Sequence, residues 1–244
     1  MNNSRNEMIC ANGIWVFVSA LSAVFLLGGF LPPPSPDLPA SEIARIFSPD
    51  NTAVRVAVLI GMLGSCTFAL PMMAIGAQLR RMEGPNPVMS SLNHSMATLT
   101  CVANMLPCFL WLAISYKPTP PDVMVVLNDL AWFMFIGGIC TQIVLNFAQG
   151  MCILNDKSGL NIYPRWLGYL NLFLIMTFIP DVLLPVFTKG PFTYSGALGF
   201  WVPAVGYLTW LWVHYFFTVK AIKRQAAEAM SVSGYGLASG SNAS

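Results

Sequence analysis

Six long apolar stretches set the limits on how this chain can fold. They cover residues 9–31, 53–78, 88–115, 123–154, 166–187 and 194–219. Crossing the hydrocarbon core of a bilayer takes about 20 predominantly apolar residues in a helix. Each stretch meets that length, and little chain is left between them. In lipid every backbone N–H and C=O has to be satisfied internally, which leaves helices as the form for runs of this kind. The expectation is an all-α fold: a polytopic transmembrane helical bundle of about six spans over residues 1–225. A Ser/Gly/Ala-rich tail follows at 226–244, of a composition that is normally flexible. The fourth stretch is longer than one crossing requires, so it is expected to tilt or to begin as a short interfacial helix.

Composition agrees. Only 9% of the 244 residues are charged and 56% are hydrophobic, against about 25% charged in soluble domains. The net charge of +2, from 12 basic and 10 acidic residues, is small and dispersed. A nucleic-acid partner needs a basic patch or stripe, so none is expected; the partners expected are the lipid bilayer and, beyond it, other membrane subunits or a small apolar ligand. The six cysteines (Cys10, Cys66, Cys101, Cys108, Cys140, Cys152) lie in apolar stretches without a CxxC pair and read as small core residues rather than zinc ligands. The first stretch lacks a small-x-small cleavage site and exceeds a signal-peptide core in length, so it reads as a retained helix.

Basic residues in short loops orient membrane helices, with the richer side cytoplasmic. Arg5, Arg80, Arg81, Lys157, Arg165, Lys220, Lys223 and Arg224 fall on one side, and Arg45, Arg55, Lys117 and Lys189 on the other, eight against four. Both termini are therefore expected on the cytoplasmic side. The outer connection 32–51 opens on Pro-Pro-Pro-Ser-Pro. It continues into a short amphipathic helix on the outer surface, with Ser41 as N-cap and Ile43, Ile46 and Phe47 on one face. Trp15, Trp111, Tyr116, Tyr163, Trp166 and Tyr194 fall near span ends and read as interfacial belts. Asn51–Arg55 and Asn128–Trp132, each followed by paired glycines (Gly61 and Gly64; Gly137 and Gly138), form a loose internal echo.

Ionisable groups within spans are costly and mark candidate sites. Arg55, Asp129 and Asp181 share one depth near the outer side. One guanidinium can fork onto a carboxylate and stay close to a second. This cluster reads as an ion pair that fixes helix packing, or else as a substrate or proton site at the outer mouth. Amides form stripes: Gln142, Asn146 and Gln149 with Asn128 on the fourth span, and Asn93, Thr100 and Asn104 on the third. Asn171 lies on the fifth, and Pro203, Tyr207, Trp210 and His214 recur at helical spacing on the sixth. Together they suggest either interhelical hydrogen bonding, worth about 1 kcal/mol or less per bond, or a partly polar cavity for a small, mostly apolar ligand. His94 and His214, the only two histidines, share a depth on the inner side, where a haem b iron held from both faces is the alternative reading; no metal site is otherwise expected. No GxSxG, HExxH or Walker sequence is present, which argues against an enzyme. The functional expectation is an accessory subunit of a membrane assembly, or a binder or transporter of small apolar solutes.

Several strings carry a family resemblance. Leu127-Asn-Asp-Leu-Ala-Trp132, Tyr163-Pro-Arg-Trp-Leu-Gly-Tyr-Leu-Asn171 and Gly190-Pro-Phe with Gly199-Phe-Trp-Val-Pro203 resemble a bacterial family of uncharacterised multi-pass membrane proteins. So do Leu31-Pro-Pro-Pro-Ser-Pro36 and Gln78-Leu-Arg-Arg-Met-Glu-Gly84. The likeness covers roughly residues 14–225. It implies a six-helix integral protein of the bacterial cytoplasmic (inner) membrane and assigns no site.

Overall fold

The computed structural model describes residues 2–240, and the side chains of residues 3–231. Among the described residues the chain forms helices and turns and no strand. The first apolar stretch is α1 (Asn2–Ser22), which passes into a π-helical turn, Ala23–Leu27. A short α2 (Ala40–Ile46) follows in the connection. The second stretch is α3 (Thr52–Ser65) and α4 (Ala69–Glu83), joined through a 3₁₀ turn, Cys66–Phe68. The third is α5 (Val88–Tyr116). The fourth is α6 (Pro121–Gly137) and α7 (Ile139–Leu154), which meet at Gly138 and together form one candidate span of 34 residues. The fifth is α8 (Arg165–Val182), closed by a 3₁₀ turn, Leu184–Val186. The sixth begins as a π-helical turn, Ala197–Trp201, and continues as α9 (Val202–Gly240). Helix thus extends well into the segment whose composition predicts a flexible tail; residues 241–244 of that tail lie outside the described residues.

Among the described residues, five helices are long and apolar enough to cross a membrane: Asn3–Leu27, Thr52–Glu83, Val88–Tyr116, Pro121–Leu154 and Arg165–Val186. The sixth segment is diluted by Tyr207, Thr209, Trp210, His214, Tyr215 and Thr218 and is not among them. It nevertheless runs the length of the bundle antiparallel to α1. Phe200 meets Phe25 near the end of the first span (5.8 Å between centroids), and Trp212 meets Trp15 (4.8 Å). Beyond them the Tyr215 hydroxyl donates to Asn12 (2.9 Å). Past Tyr215, Gln78 of α4 donates to both Glu7 (2.7 Å) and Gln225 (3.0 Å). The start of α1 and the later part of α9 therefore share one end, which also carries Arg80, Arg81 and the α7–α8 connection.

Each pass packs on the next and the last returns to the first. α1 lies against α3 and α4, these against α5, α5 against α6 and α7, α7 against α8, α8 against α9, and α9 against α1. The α1–α3 contact is close because glycines face it: a Cβ on Gly64 would sit 2.0 Å from Ala20 Cβ, and one on Gly61 2.2 Å from Val24 Cγ2. Gly137, their counterpart in the sequence echo, faces open space, so the echo is not a packing repeat. Inside the ring, α4 also reaches α7 and α9 and fills the basic half.

Several local expectations change in the structure. The residue flanking α2 is Pro39, and Ser41 lies inside the helix without a capping bond. Its face carries Ile43 and Phe47, both buried against the bundle, because α2 packs on α6 instead of floating on the surface. Trp15, Tyr116 and Trp166 are exposed as a belt requires, but Trp111, Tyr163 and Tyr194 are buried. Each of these three has its polar atom bonded to another segment: Trp111 donates to Asn128 (3.3 Å), Tyr163 pairs with Thr218 (2.8 Å) and Tyr194 donates to Asp129 (2.8 Å). Tyr163 precedes α8, outside the spans, and burial pushes its phenol above the ordinary range, so it stays neutral. All six cysteines are free thiols.

Candidate functional site

The amide stripes of four helices converge in the basic half. Asn93 (α5) donates through Nδ2 to the Met72 carbonyl (3.0 Å) and accepts through Oδ1 from Gln149 Nε2 of α7 (2.8 Å). Trp210 Nε1 of α9 is shared between Gln149 Oε1 and Asn171 Oδ1, at 3.1 Å each. Asn171 (α8) spends its two amide hydrogens on the Leu167 carbonyl (2.8 Å) and on His214 Nε2 (3.1 Å). His214 Nδ1 lies 2.9 Å from the Trp210 carbonyl, so that nitrogen carries the proton and Nε2 accepts. Asn93, Gln149, Asn171, Trp210 and His214 are fully buried. Buried polar groups are tolerable when every member is satisfied, and in this set the polar atoms are used. It is a plug holding α5, α7, α8 and α9 together.

Above the plug, away from the basic end, lies a cavity of about 390 Å³, within the usual range of about 300–1,000 Å³ for ligand pockets. Its walls are mostly carbon: Phe17, Leu21 and Phe25 from the first span, Ile139 from α7, and Phe200 and Leu208 from the last. Both π-helical turns border it. Gly28 N–H bonds Ala23 O (3.1 Å) in the first turn, and Val202 N–H bonds Ala197 O in the second. The second has a sequence cause: Pro203 has no N–H to continue an ordinary α ladder. Such turns are frequent at functional sites, and this pair faces across the cavity at Phe25 and Phe200. Leu26, Val205 and Leu208 line the cavity and are also exposed, at 71%, 64% and 41%. The cavity therefore opens sideways, between α1 and α9, onto the apolar outer surface.

Few polar groups reach in. Ser22, Thr100, Asn104, Gln142, Asp181 and Tyr207 line the cavity. Thr100 is already bonded to Thr141 (2.7 Å) and to the Met96 carbonyl (2.8 Å). Gln142 donates to Asn146 (2.8 Å), leaving its Oε1 unpartnered. Asp181 is 2% exposed, and its Oδ1 has no hydrogen-bond donor among the described residues.

The expected cavity set thus divides. Asn104, Gln142 and Tyr207 line the space, whereas Asn93, Gln149, Asn171 and Trp210 belong to the plug. Asn146 serves Gln142, and Asn128 lies in the outer core against Trp111. Among the described residues no ion pair joins Arg55, Asp129 or Asp181. Arg55 instead donates to the Pro49 carbonyl, Asp129 accepts from Tyr194, and Asp181 turns to the cavity. The reason is the ring order, in which α3 packs chiefly on α1 and α5, and α5 stands before α6. The histidines are likewise separate in their partners. His94 packs on α4, where a Cβ on Gly76 would fall 2.0 Å from its Nε2, while both nitrogens of His214 are engaged within the plug. As arranged, the pair does not offer two free nitrogens to one haem iron. Among the described residues no three His, Cys, Asp or Glu side chains gather as a metal site. The α1 side of the cavity left no trace in the sequence reading, because Phe17, Leu21 and Phe25 are indistinguishable there from residues facing lipid.

Compared with known proteins, the chain matches no family model, no curated protein and no solved structure. The multi-pass helical architecture implied by the resemblance stands on the structure itself.

Proposed function

We propose that this membrane protein binds a small, largely apolar solute taken up from the bilayer. One observation carries the reading: a carbon-walled cavity between two π-helical turns that opens sideways at Leu26, Val205 and Leu208 and is closed below by a satisfied amide plug. An apolar solute dissolved in lipid reaches such an opening without crossing water. Helices that meet through fully used amides resist separation on the basic side, so entry and exit fall on the opposite half. The test is equilibrium binding of radiolabelled decanol to the protein in phosphatidylcholine nanodiscs, with empty nanodiscs subtracted. Saturable binding is expected, and Ala204→Phe, which places a ring in the cavity, should weaken it by about tenfold or more, or about 1.4 kcal/mol. Non-saturable uptake equal in the two proteins would overturn the reading.

The excess of basic residues favours the plug end as the cytoplasmic one, with the cavity in the outer half, in a bacterial inner membrane. In a cysteine-free background, Cys placed at Ser158 should react with an impermeant maleimide only after the membrane is opened, and Cys at Ser35 in intact cells. Both positions are exposed. The reverse pattern would invert the orientation.

A further inference from the structure

We infer that the solute is a lipophilic amine whose ammonium group seats on Asp181. This rests on the binding reading above and names its ligand class.

The carboxylate is the odd group in the cavity. Asp181 is 2% exposed and one of its oxygens is wholly enclosed without a donor. Its helix neighbours cannot serve it, since Pro180 has no N–H and the Leu183 N–H is spent on the Pro180 carbonyl (3.1 Å). Among the described residues no lysine, arginine or histidine lines the cavity. Arg55, the cation expected beside it, is turned to the Pro49 carbonyl. A carboxyl group at this depth is retained at a cost and normally has a partner. None comes from the described residues, so the carboxyl asks for a donor, and most strongly for a charged one, because hydrogen bonds between ionised groups are roughly twice as strong as neutral ones.

The surroundings select among cations. A metal ion requires several oxygen ligands, and the walls here are carbon. An organic ammonium needs only the carboxylate and one or two further acceptors. Gln142 Oε1 is unpartnered and lines the same space. The alkyl or aryl remainder then lies along Phe17, Leu21 and Phe200. Phe25 and Phe200 stand in contact on the cavity wall, with 5.8 Å between ring centroids, and aromatic rings attract a nearby cation. An anion is disfavoured by the same carboxylate.

Binding of decylamine, decanol and decanoate in phosphatidylcholine nanodiscs separates the claims. Wild type should hold decylamine about tenfold or more tighter than decanol, and decanoate weakest. Asp181→Asn should erase the preference for the amine while leaving decanol within about twofold, and Asp181→Glu should keep it. The wild-type ratio stands without any variant, so a poorly folding substitution does not remove the test. If decanol binds as tightly as decylamine and Ala204→Phe still weakens decanol, the amine assignment is overturned and the apolar-solute reading survives. If none of the three binds saturably, both fall.

Discussion

Replacing Trp210 by Ala is expected to cost about 3–5 kcal/mol of stability, the range for removing a large buried aromatic side chain. Trp210 is fully buried, with its ring 5.2 Å from His214, 5.7 Å from Tyr207 and 6.4 Å from Phe68. Loss of the indole does two separable things. It leaves a void beneath the cavity, and it strands Gln149 Oε1 and Asn171 Oδ1, which share its N–H at 3.1 Å each. Trp210→Phe separates them. It keeps part of the ring and removes the donor, so the two stranded acceptors add about 1–2 kcal/mol to the cost of the lost ring volume. Bonds between membrane helices average less than this, about 0.6 kcal/mol, but here one N–H serves two fully buried oxygens. Unfolding in mixed micelles with increasing dodecyl sulfate, followed by circular dichroism, reads both substitutions. Equal stability of wild type and Trp210→Phe would show that the plug is held by packing alone.

The bundle was legible because lipid leaves so few choices. Twenty apolar residues in a row become a helix whichever way they face, and all six stretches recur as helical segments of the bundle, five of them long and apolar enough to cross a membrane. Spacing also put Gln142, Asn146 and Gln149 on one face, and Gln149 does meet Asn93 there. What spacing does not encode is which helix stands opposite. Arg55, Asp129 and Asp181 share a depth, yet α5 lies between α3 and α6: Arg55 turns to the Pro49 carbonyl and Asp129 to Tyr194, while Asp181 is left without a donor among the described residues. Depth is a one-dimensional quantity, and a salt bridge needs the other two. The same limit hid the cavity. It is bordered by the turns Ala23–Leu27 and Ala197–Trp201, where two helices leave regular α geometry. The tyrosines and tryptophans near span ends divide as well: Trp111, Tyr163 and Tyr194 are buried with their polar atoms bonded to another segment, whereas Trp15 stays exposed although it reaches Tyr215 and Trp212 across the α1–α9 contact.

Trp132 should answer substitution differently from Trp210. It too is fully buried, at the centre of an aromatic cluster with Trp111 (5.3 Å), Phe30 (5.9 Å), Phe135 (6.1 Å) and Phe200 (6.4 Å), and it stacks on Tyr194 at 5.5 Å with 4° between planes. Trp132→Ala is therefore expected to cost about 3–5 kcal/mol as well. The indole N–H is the difference: among the described residues Trp132 Nε1 has no acceptor. Trp132→Phe thus removes a donor that is already unsatisfied and strands nothing. Both Trp→Phe changes lose the same ring volume, so Trp132→Phe should cost less than Trp210→Phe by about 1–2 kcal/mol, the share of the two stranded acceptors. The two tryptophans then rank alike as alanines and apart as phenylalanines, with Trp210→Phe the more damaging. That order follows from hydrogen bonding alone, since both rings are buried to the same degree. If Trp132→Phe proved the worse of the two in the same dodecyl sulfate titration, the cluster around Tyr194 would hold an acceptor for that N–H, and the plug would lose its distinction from the rest of the core.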